Sequence, residues 1–215
     1  MTGFTVVCVK AKPAYDHHYV NRLWRMVKEH LTIPHRFVCF TDDSRGIKCD
    51  TRPLPKGVQG WWAKLSLHRP NAMLTGKVLY LDLDTVILDS LDFVADYAGD
   101  FAILRDFYRP EGYGSGVMLW NKPHPQVWAR WLEEGQPEHG LGDQGWMEEI
   151  IPHADRLQDL FPGKFCSFKS DDCDDGAPVD SAVMCFHGYP KPHDLDEAHW
   201  ARRLWEGEKV EGWIS

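Results

Sequence analysis

The run Lys77-Val78-Leu79-Tyr80-Leu81-Asp82-Leu83-Asp84 constrains this chain more than any other, because an apolar stretch of strand character ends in two carboxylates. Alternate residues of an extended chain point the same way. Asp82 and Asp84 are therefore expected on one face of the strand end, with Leu81 and Leu83 packed on the other. Carboxylates that close repel each other unless a cation or a proton lies between them. Such a pair is how a divalent-cation site is built beside a phosphate ester, and the plainer reading is two strand-end aspartates capping a turn.

The surroundings of this strand place it in an α/β sheet. Residues 4–10 read as a buried strand. Tyr19, Val20, Leu23, Trp24, Val27 and Leu31 recur at helical spacing until Pro34, and Arg36-Phe37-Val38-Cys39-Phe40-Thr41-Asp42 reads as the next strand. Residues 48–60, rich in Pro and Gly, read as a loop, and residues 61–67 as a helix before the strand that ends in Asp82. This alternation predicts a mostly parallel, Rossmann-like sheet flanked by helices, with ligands beyond the carboxyl ends of the strands. Further strands are predicted at Phe101-Ala102-Ile103-Leu104, Val117-Met118-Leu119-Trp120 and Ala182-Val183-Met184-Cys185-Phe186. A helix through Val127, Trp128, Trp131 and Leu132 ends near Gly135, and another begins after Gly142 with Trp146, Met147, Ile150 and Ile151 inward. The acidic segment 171–176 lacks the spacing of a calcium loop and reads as a solvated turn.

At 215 residues the chain suits one domain, 1–215. With 32 acidic against 24 basic side chains, a formal charge of -8, it is not a general nucleic-acid-binding surface, and an anionic ligand would need a metal or a few placed lysines. The N-terminus shows no basic segment followed by a long apolar run, and no stretch reaches membrane-spanning length, so a soluble cytoplasmic protein is expected. Cys8, Cys39, Cys49, Cys166, Cys173 and Cys185 form no Cys-x-x-Cys pair, which argues against disulfides and a structural zinc site.

The last predicted strand delivers His187-Gly188-Tyr189-Pro190-Lys191-Pro192, an imidazole, a glycine and a lysine in one loop. With Asp82 and Asp84 the imidazole makes an open coordination set, while Gly188 permits close backbone approach and Lys191 can reach a phosphate. Four pieces of the chain, in order, resemble the GT-A glycosyltransferases, most closely the retaining family 8 enzymes that include glycogenin. They are Leu79-Tyr80-Leu81-Asp82-Leu83-Asp84 for the Asp-x-Asp motif, Ser115-Gly116-Val117-Met118-Leu119-Trp120-Asn121 after it, Gly142-Asp143-Gln144, and the His187 to Pro192 segment for His-x-Gly-x-x-Lys-Pro. Trp61-Trp62-Ala63-Lys64-Leu65 stands where the family carries a donor-contacting basic residue, and the resemblance runs from about residue 4 to 195.

The resemblance implies a hexosyltransferase acting on a nucleotide-sugar, a UDP-hexose, with retention, toward an acceptor that is a saccharide, a protein or a small molecule. Asp82, Asp84 and His187 would hold Mn²⁺, which tolerates mixed oxygen and imidazole ligation better than the alternative, Mg²⁺. Lys191 would offset charge on the departing diphosphate and Lys64 would help hold the donor. Asp143 would bind sugar hydroxyls and Gln144 would stabilise an oxocarbenium-like transition state. Leu83, Ser115 and Gly188 would line the donor site. Tyr15 would stack on the base, with Thr41 and Asp42 hydrogen-bonding the nucleoside. As a plainer alternative, Asp143 is the N-cap of its helix.

The sequence departs from the family at Gly114, where Asn is usual, at His193, where Trp often stands, and in a short stretch between Asp84 and Ser115. Three rivals remain at this level. Asp82-Leu83-Asp84-Thr85-Val86 also fits the nucleophile motif of haloacid-dehalogenase-like phosphatases, although a complete β-α-β unit precedes it. A nucleotidyltransferase would need a Gly- and basic-rich loop that Lys10-Ala11-Lys12-Pro13 supplies poorly. The third rival is a non-catalytic nucleotide-sugar-binding protein.

Overall fold

A computed structural model describes residues 3–210; Met1, Thr2 and residues 211–215, the ends of the expected 1–215 unit, lie outside the described residues. Strand β1 (Phe4–Lys10) is buried throughout, and its residues alternate between two cores, Val6 and Cys8 facing one, Val7 and Val9 the other. Helix α1 (His17–His30) starts where the Asp16 side chain accepts the His18 N–H, and it buries Tyr19, Val20, Leu23, Met26 and Val27 at helical spacing. Each such side chain contributes about 1.5–3 kcal/mol by leaving water. The chain returns as β2 (His35–Thr41), parallel to β1, with β3 (Asp50–Pro53) on its outer edge and β4 (Lys77–Leu81) on the other side of β1.

Four more segments complete this part of the fold: β5 (Val86–Ile87), β6 (Phe101–Arg105), β7 (Tyr113–Trp120) and β8 (Asp155–Arg156). Among the described residues the main sheet runs β3-β2-β1-β4-β7-β6-β8, and β9 (Phe165–Ser167) and β10 (Val183–Cys185) join β5 in a small second sheet, β5-β10-β9. In the main sheet β7 is antiparallel to β4 and β6, and the remaining pairings are parallel, as expected of a mostly parallel sheet. One face packs α1, the small sheet and, with Ala201 and Trp205, a C-terminal helix. The other packs the 3-10 helix Gly60–His68, α2 (Pro125–Glu133) and α3 (Gly142–Ile150) through Leu65, Val127 and Trp146. The C-terminal helix is numbered α5 (Trp200–Glu206), after α4 (Leu157–Leu160).

Several expectations change. Residues 48–60 contain β3, whose Pro53 is tolerated because the strand lies at the sheet edge. Residues 60–68 wind as a 3-10 helix, with the Ser66 hydroxyl donating to the Ala63 carbonyl three residues back. Strand β7 begins at Tyr113 rather than Val117. Its register against β6 then slips: Leu104 pairs with Gly114 but Ile103 with Met118, so residues 115–117 bulge. The bulge turns Ser115 and Gly116 toward the end of β4, where the Asp82 N–H donates to the Gly116 carbonyl at 2.8 Å.

Candidate active site

A cavity of about 750 Å³ opens beyond the carboxyl ends of β1 and β4, within the size range of small-molecule sites. Tyr15, Lys64, Asp82, Leu83, Asp84, Ser115, Asp143, Gln144, His187, Gly188 and Lys191 all line it. Thr41 and Asp42 are not among its lining residues. Thr41 is buried and its hydroxyl is engaged with the Asp43 backbone, donating to the carbonyl at 3.0 Å, while Asp42 is exposed and receives the Lys12 N–H. The structure thus does not bring these two together with the other expected donor-site residues in this cavity.

Alternation along β4 persists past its end. Leu79, Leu81 and Leu83 pack into the core shared with α1, and Tyr80 into the opposite one, as the sequence pattern predicts. Asp82 follows on the Tyr80 face, and the Tyr80 hydroxyl donates to its Oδ1. The chain then turns, Thr85 N–H bonding the Asp82 carbonyl, so Asp84 finds other partners. Tyr15 donates to Asp84 Oδ2 at 2.9 Å, and the Lys191 ammonium bonds the same oxygen. Lys64 lies 3.0 Å from Asp82 Oδ1 and 3.1 Å from Oδ2, 3.1 Å from the Ser115 hydroxyl and 3.6 Å from Asp143 Oδ2. Each aspartate of the motif thus holds its own lysine.

Burial and the charge of Asp82 raise the Asp84 pKa, against the lowering pull of Lys191 and Tyr15. Asp143 is also raised, by burial, with Lys64 opposing. Burial alone would lower Lys64, yet Asp143 and Asp82 more than offset it, and its pKa is raised. Burial lowers His187, so its imidazole is neutral and fit to ligate a metal. Two buried atoms of these lining residues, His187 Nε2 and Asp143 Oδ2, have no hydrogen-bond partner among the described residues, although Asp143 Oδ2 keeps its ion pair with Lys64. The donor set suits Mn²⁺ in kind, with two carboxylates and a neutral imidazole lining one cavity. As they stand, no three His, Cys, Asp or Glu side chains among the described residues are grouped closely enough to hold an ion. The two ammonium groups neutralise the carboxylates instead.

Asp143 is the second residue of α3, whose N-cap is Leu141, so the capping alternative is set aside. Gln144 donates from Nε2 to Asp106 Oδ2 at 3.2 Å. Asp106 was not singled out from the sequence, because nothing local marks a loop aspartate 38 positions from its partner. Tyr80 was legible in principle, two residues before Asp82 on the same strand face. Tyr15 packs its ring against Tyr19 at 4.6 Å while its hydroxyl holds Asp84, and the Tyr19 hydroxyl meets His193 Nδ1. At Gly114 an added Cβ would meet Leu104 Cβ at 3.4 Å, so the backbone does not demand glycine there. The six cysteines are free thiols, and no helix among the described residues is long and apolar enough to cross a membrane.

No protein-family model matches the chain, and no curated protein does. Solved structures do. The glycosyltransferase GlyE of Streptococcus pneumoniae TIGR4 superposes with a TM-score of 0.66 at 15% identity over 96% of this chain, which spans 60% of that one. The galactosyltransferase LgtC, in complex with donor and acceptor sugar analogs, gives 0.65 at 16% identity over 97% of this chain and 98% of its own. The bifunctional glycosyltransferase WbbM gives 0.62 at 11% identity, over 96% of this chain and 52% of that one. Likeness at such identities is a likeness of fold, and the fold of this chain is the GT-A architecture that its four ordered motifs resemble.

Proposed function

We propose that this chain is a glycosyltransferase that moves a hexose from UDP to an acceptor with retention of configuration, in one catalytic unit, with Mn²⁺ held by Asp82, Asp84 and His187. The observation that carries this reading is the paired arrangement Asp82–Lys64 and Asp84–Lys191 at the carboxyl ends of parallel strands. It sits on a fold shared with LgtC, whose structure holds donor and acceptor sugar analogs. When bound, the ion supplies charge stabilisation to a departing diphosphate. Lys191, released from Asp84, places its ammonium where negative charge develops on that leaving group. Lys64 holds the donor beside Asp143, whose Oδ2, ion-paired with Lys64 but without a hydrogen bond, accepts a sugar hydroxyl. Gln144, anchored through its amide N–H on Asp106, keeps its carbonyl oxygen for the positive charge growing at the anomeric carbon. Retention follows if the leaving phosphate takes the acceptor's proton on the face it vacates.

The phosphatase reading needs Asp82 as a free nucleophile, whereas both of its oxygens lie beside Lys64 and one accepts from Tyr80. Turnover of UDP-, GDP- and ADP-hexoses with Mn²⁺, Mg²⁺ or chelator tests the proposal. UDP-hexose turnover that chelation abolishes is expected, and Asp84→Asn should lower turnover and Mn²⁺-dependent UDP affinity together, each by about tenfold or more. Indifference to both changes would sink the metal, and failure to bind or turn over any sugar nucleotide would sink the transferase.

A further inference from the structure

The lining of the cavity is chemically uneven. Its only lysines, Lys64 and Lys191 among the described lining residues, stand with Asp82, Asp84 and Asp143. Trp61, Tyr108 and Leu141 line it too, Trp61 beside Gly142 and Tyr108 with its ring 6.3 Å from that of His187, and no arginine is among the described lining residues. Asp106 there is already satisfied. It accepts from Gln144, from the backbone N–H groups of Tyr108 at 2.8 Å and Arg109 at 3.1 Å, and lies 3.5 Å from the Arg109 guanidinium, which also pairs with Glu148.

On this wall the chain exposes large apolar side chains. Trp61 is 58% exposed, Tyr108 59% and Leu141 42%, in a protein that buries Trp120 and Trp205 completely. Aromatic side chains lining a concave surface are the usual apolar contacts of a small-molecule site. Trp61 stands against the start of α3: an added Cβ at Gly142 would lie 3.0 Å from its Nε1, and Gly142 immediately precedes Asp143 and Gln144. The indole therefore adjoins the residues assigned to the donor sugar, where the attacking hydroxyl of an acceptor has to arrive. An aromatic face takes the C–H face of a pyranose while the ring's hydroxyls stay hydrogen-bonded around it.

We propose that the acceptor of this chain is an uncharged saccharide whose terminal ring seats on Trp61, with Tyr108 as a second aromatic contact. The proposal rests on the glycosyltransferase reading above and adds the chemical class of the second substrate. Anionic acceptors are disfavoured because the lining lysines among the described residues, Lys64 and Lys191, are each already paired with carboxylates.

The test uses the whole chain with Mn²⁺ and the UDP-hexose it turns over best. The acceptors are cellobiose, maltose and methyl β-galactoside, against glucose 6-phosphate and a Ser/Tyr-containing peptide. Transfer to a neutral saccharide is expected, with Trp61→Ala lowering kcat/KM for it by about tenfold or more through KM, and Trp61→Phe restoring most of the loss. A purely structural role would be revealed by equal loss in both variants alongside a lowered melting temperature, and would overturn the proposal. If Trp61→Ala does not fold, Tyr108→Ala is measured the same way and the same rise in KM is required. The proposal also fails if saccharide transfer is indifferent to these changes, if the phosphorylated sugar or the peptide is preferred, or if UDP-hexose is only hydrolysed with every acceptor. These failures leave the donor reading standing, whereas a wild-type chain that neither binds UDP nor cleaves a UDP-hexose removes that reading and this one together.

Discussion

The ammonium of Lys191 bonds Oδ2 of Asp84 across 107 positions of sequence, joining the loop after β10 to the turn after β4. Tyr15 donates to the same oxygen, so this buried carboxylate is held at once by the loop between β1 and α1 and by the loop after β10. A cation entering beside Asp84 has to displace the lysine, and the lysine so released is free for a phosphate.

Lys191→Met removes that competitor. In the absence of nucleotide the variant should bind Mn²⁺ more tightly than the wild type at pH 8, by about threefold or more on the scale of a charge-assisted hydrogen bond. Turnover should fall by about tenfold or more, since the charge that follows the diphosphate is gone. Paramagnetic-resonance titration of free Mn²⁺ separates the two effects, and weaker binding would show that Lys191 supports the metal site rather than competing for it.

Asp106→Ala should loosen Gln144 and the start of the 106–109 turn together. Losing the bonds to the Tyr108 and Arg109 N–H groups costs about 1–3 kcal/mol of stability, read by denaturant unfolding. Turnover should fall while UDP affinity by calorimetry holds, because Gln144 is assigned to the sugar end. Parallel losses in UDP affinity and turnover would place Asp106 with the nucleotide instead.

His68 sits fully buried at the end of the 3-10 helix, its pKa lowered to about 3 by burial and by His124. A free imidazole titrates near 6.5, so between these values the unfolded chain binds a proton that the folded chain refuses. Stability from this group is whole above pH 6.5 and declines as pH falls toward 3, by roughly 1.4 kcal/mol per pH unit at most. His68→Leu should flatten that part of the curve in urea unfolding between pH 7 and pH 4. An unchanged slope would assign acid sensitivity elsewhere. The raised carboxylates Asp84 and Asp143 act with the opposite sign, since protonating them relieves their buried charge.

Much of the fold was legible because it follows from local rules. Continuous apolar runs give β1, β2 and β4, the spacing from Tyr19 to Val27 gives α1, and a strand leading into a helix and back implies a parallel sheet. The same local logic put Leu81 and Leu83 in the core and Asp82 at the cavity. It failed for β5, β8 and β9, two or three residues each, because such strands exist only through their neighbours. Nor does it show that the Thr41 hydroxyl bonds the Asp43 backbone within the turn.

By itself the sequence determined which chemistry reaches the ends of the strands: two aspartates after β4, an imidazole and a lysine after β10, Asp143 and Gln144 on α3. Their identities and order needed no coordinates. Only the tertiary structure decided the pairings, Lys64 with Asp82 and Asp143, Lys191 with Asp84, Gln144 with Asp106, and the exposure of Trp61 and Tyr108. The physical reason is range. Strand period and helix capping act over a few residues, whereas ion pairing in a low-dielectric cavity depends on distances that the register of β7, its bulge and the packing of α3 set between parts of the chain far apart in sequence.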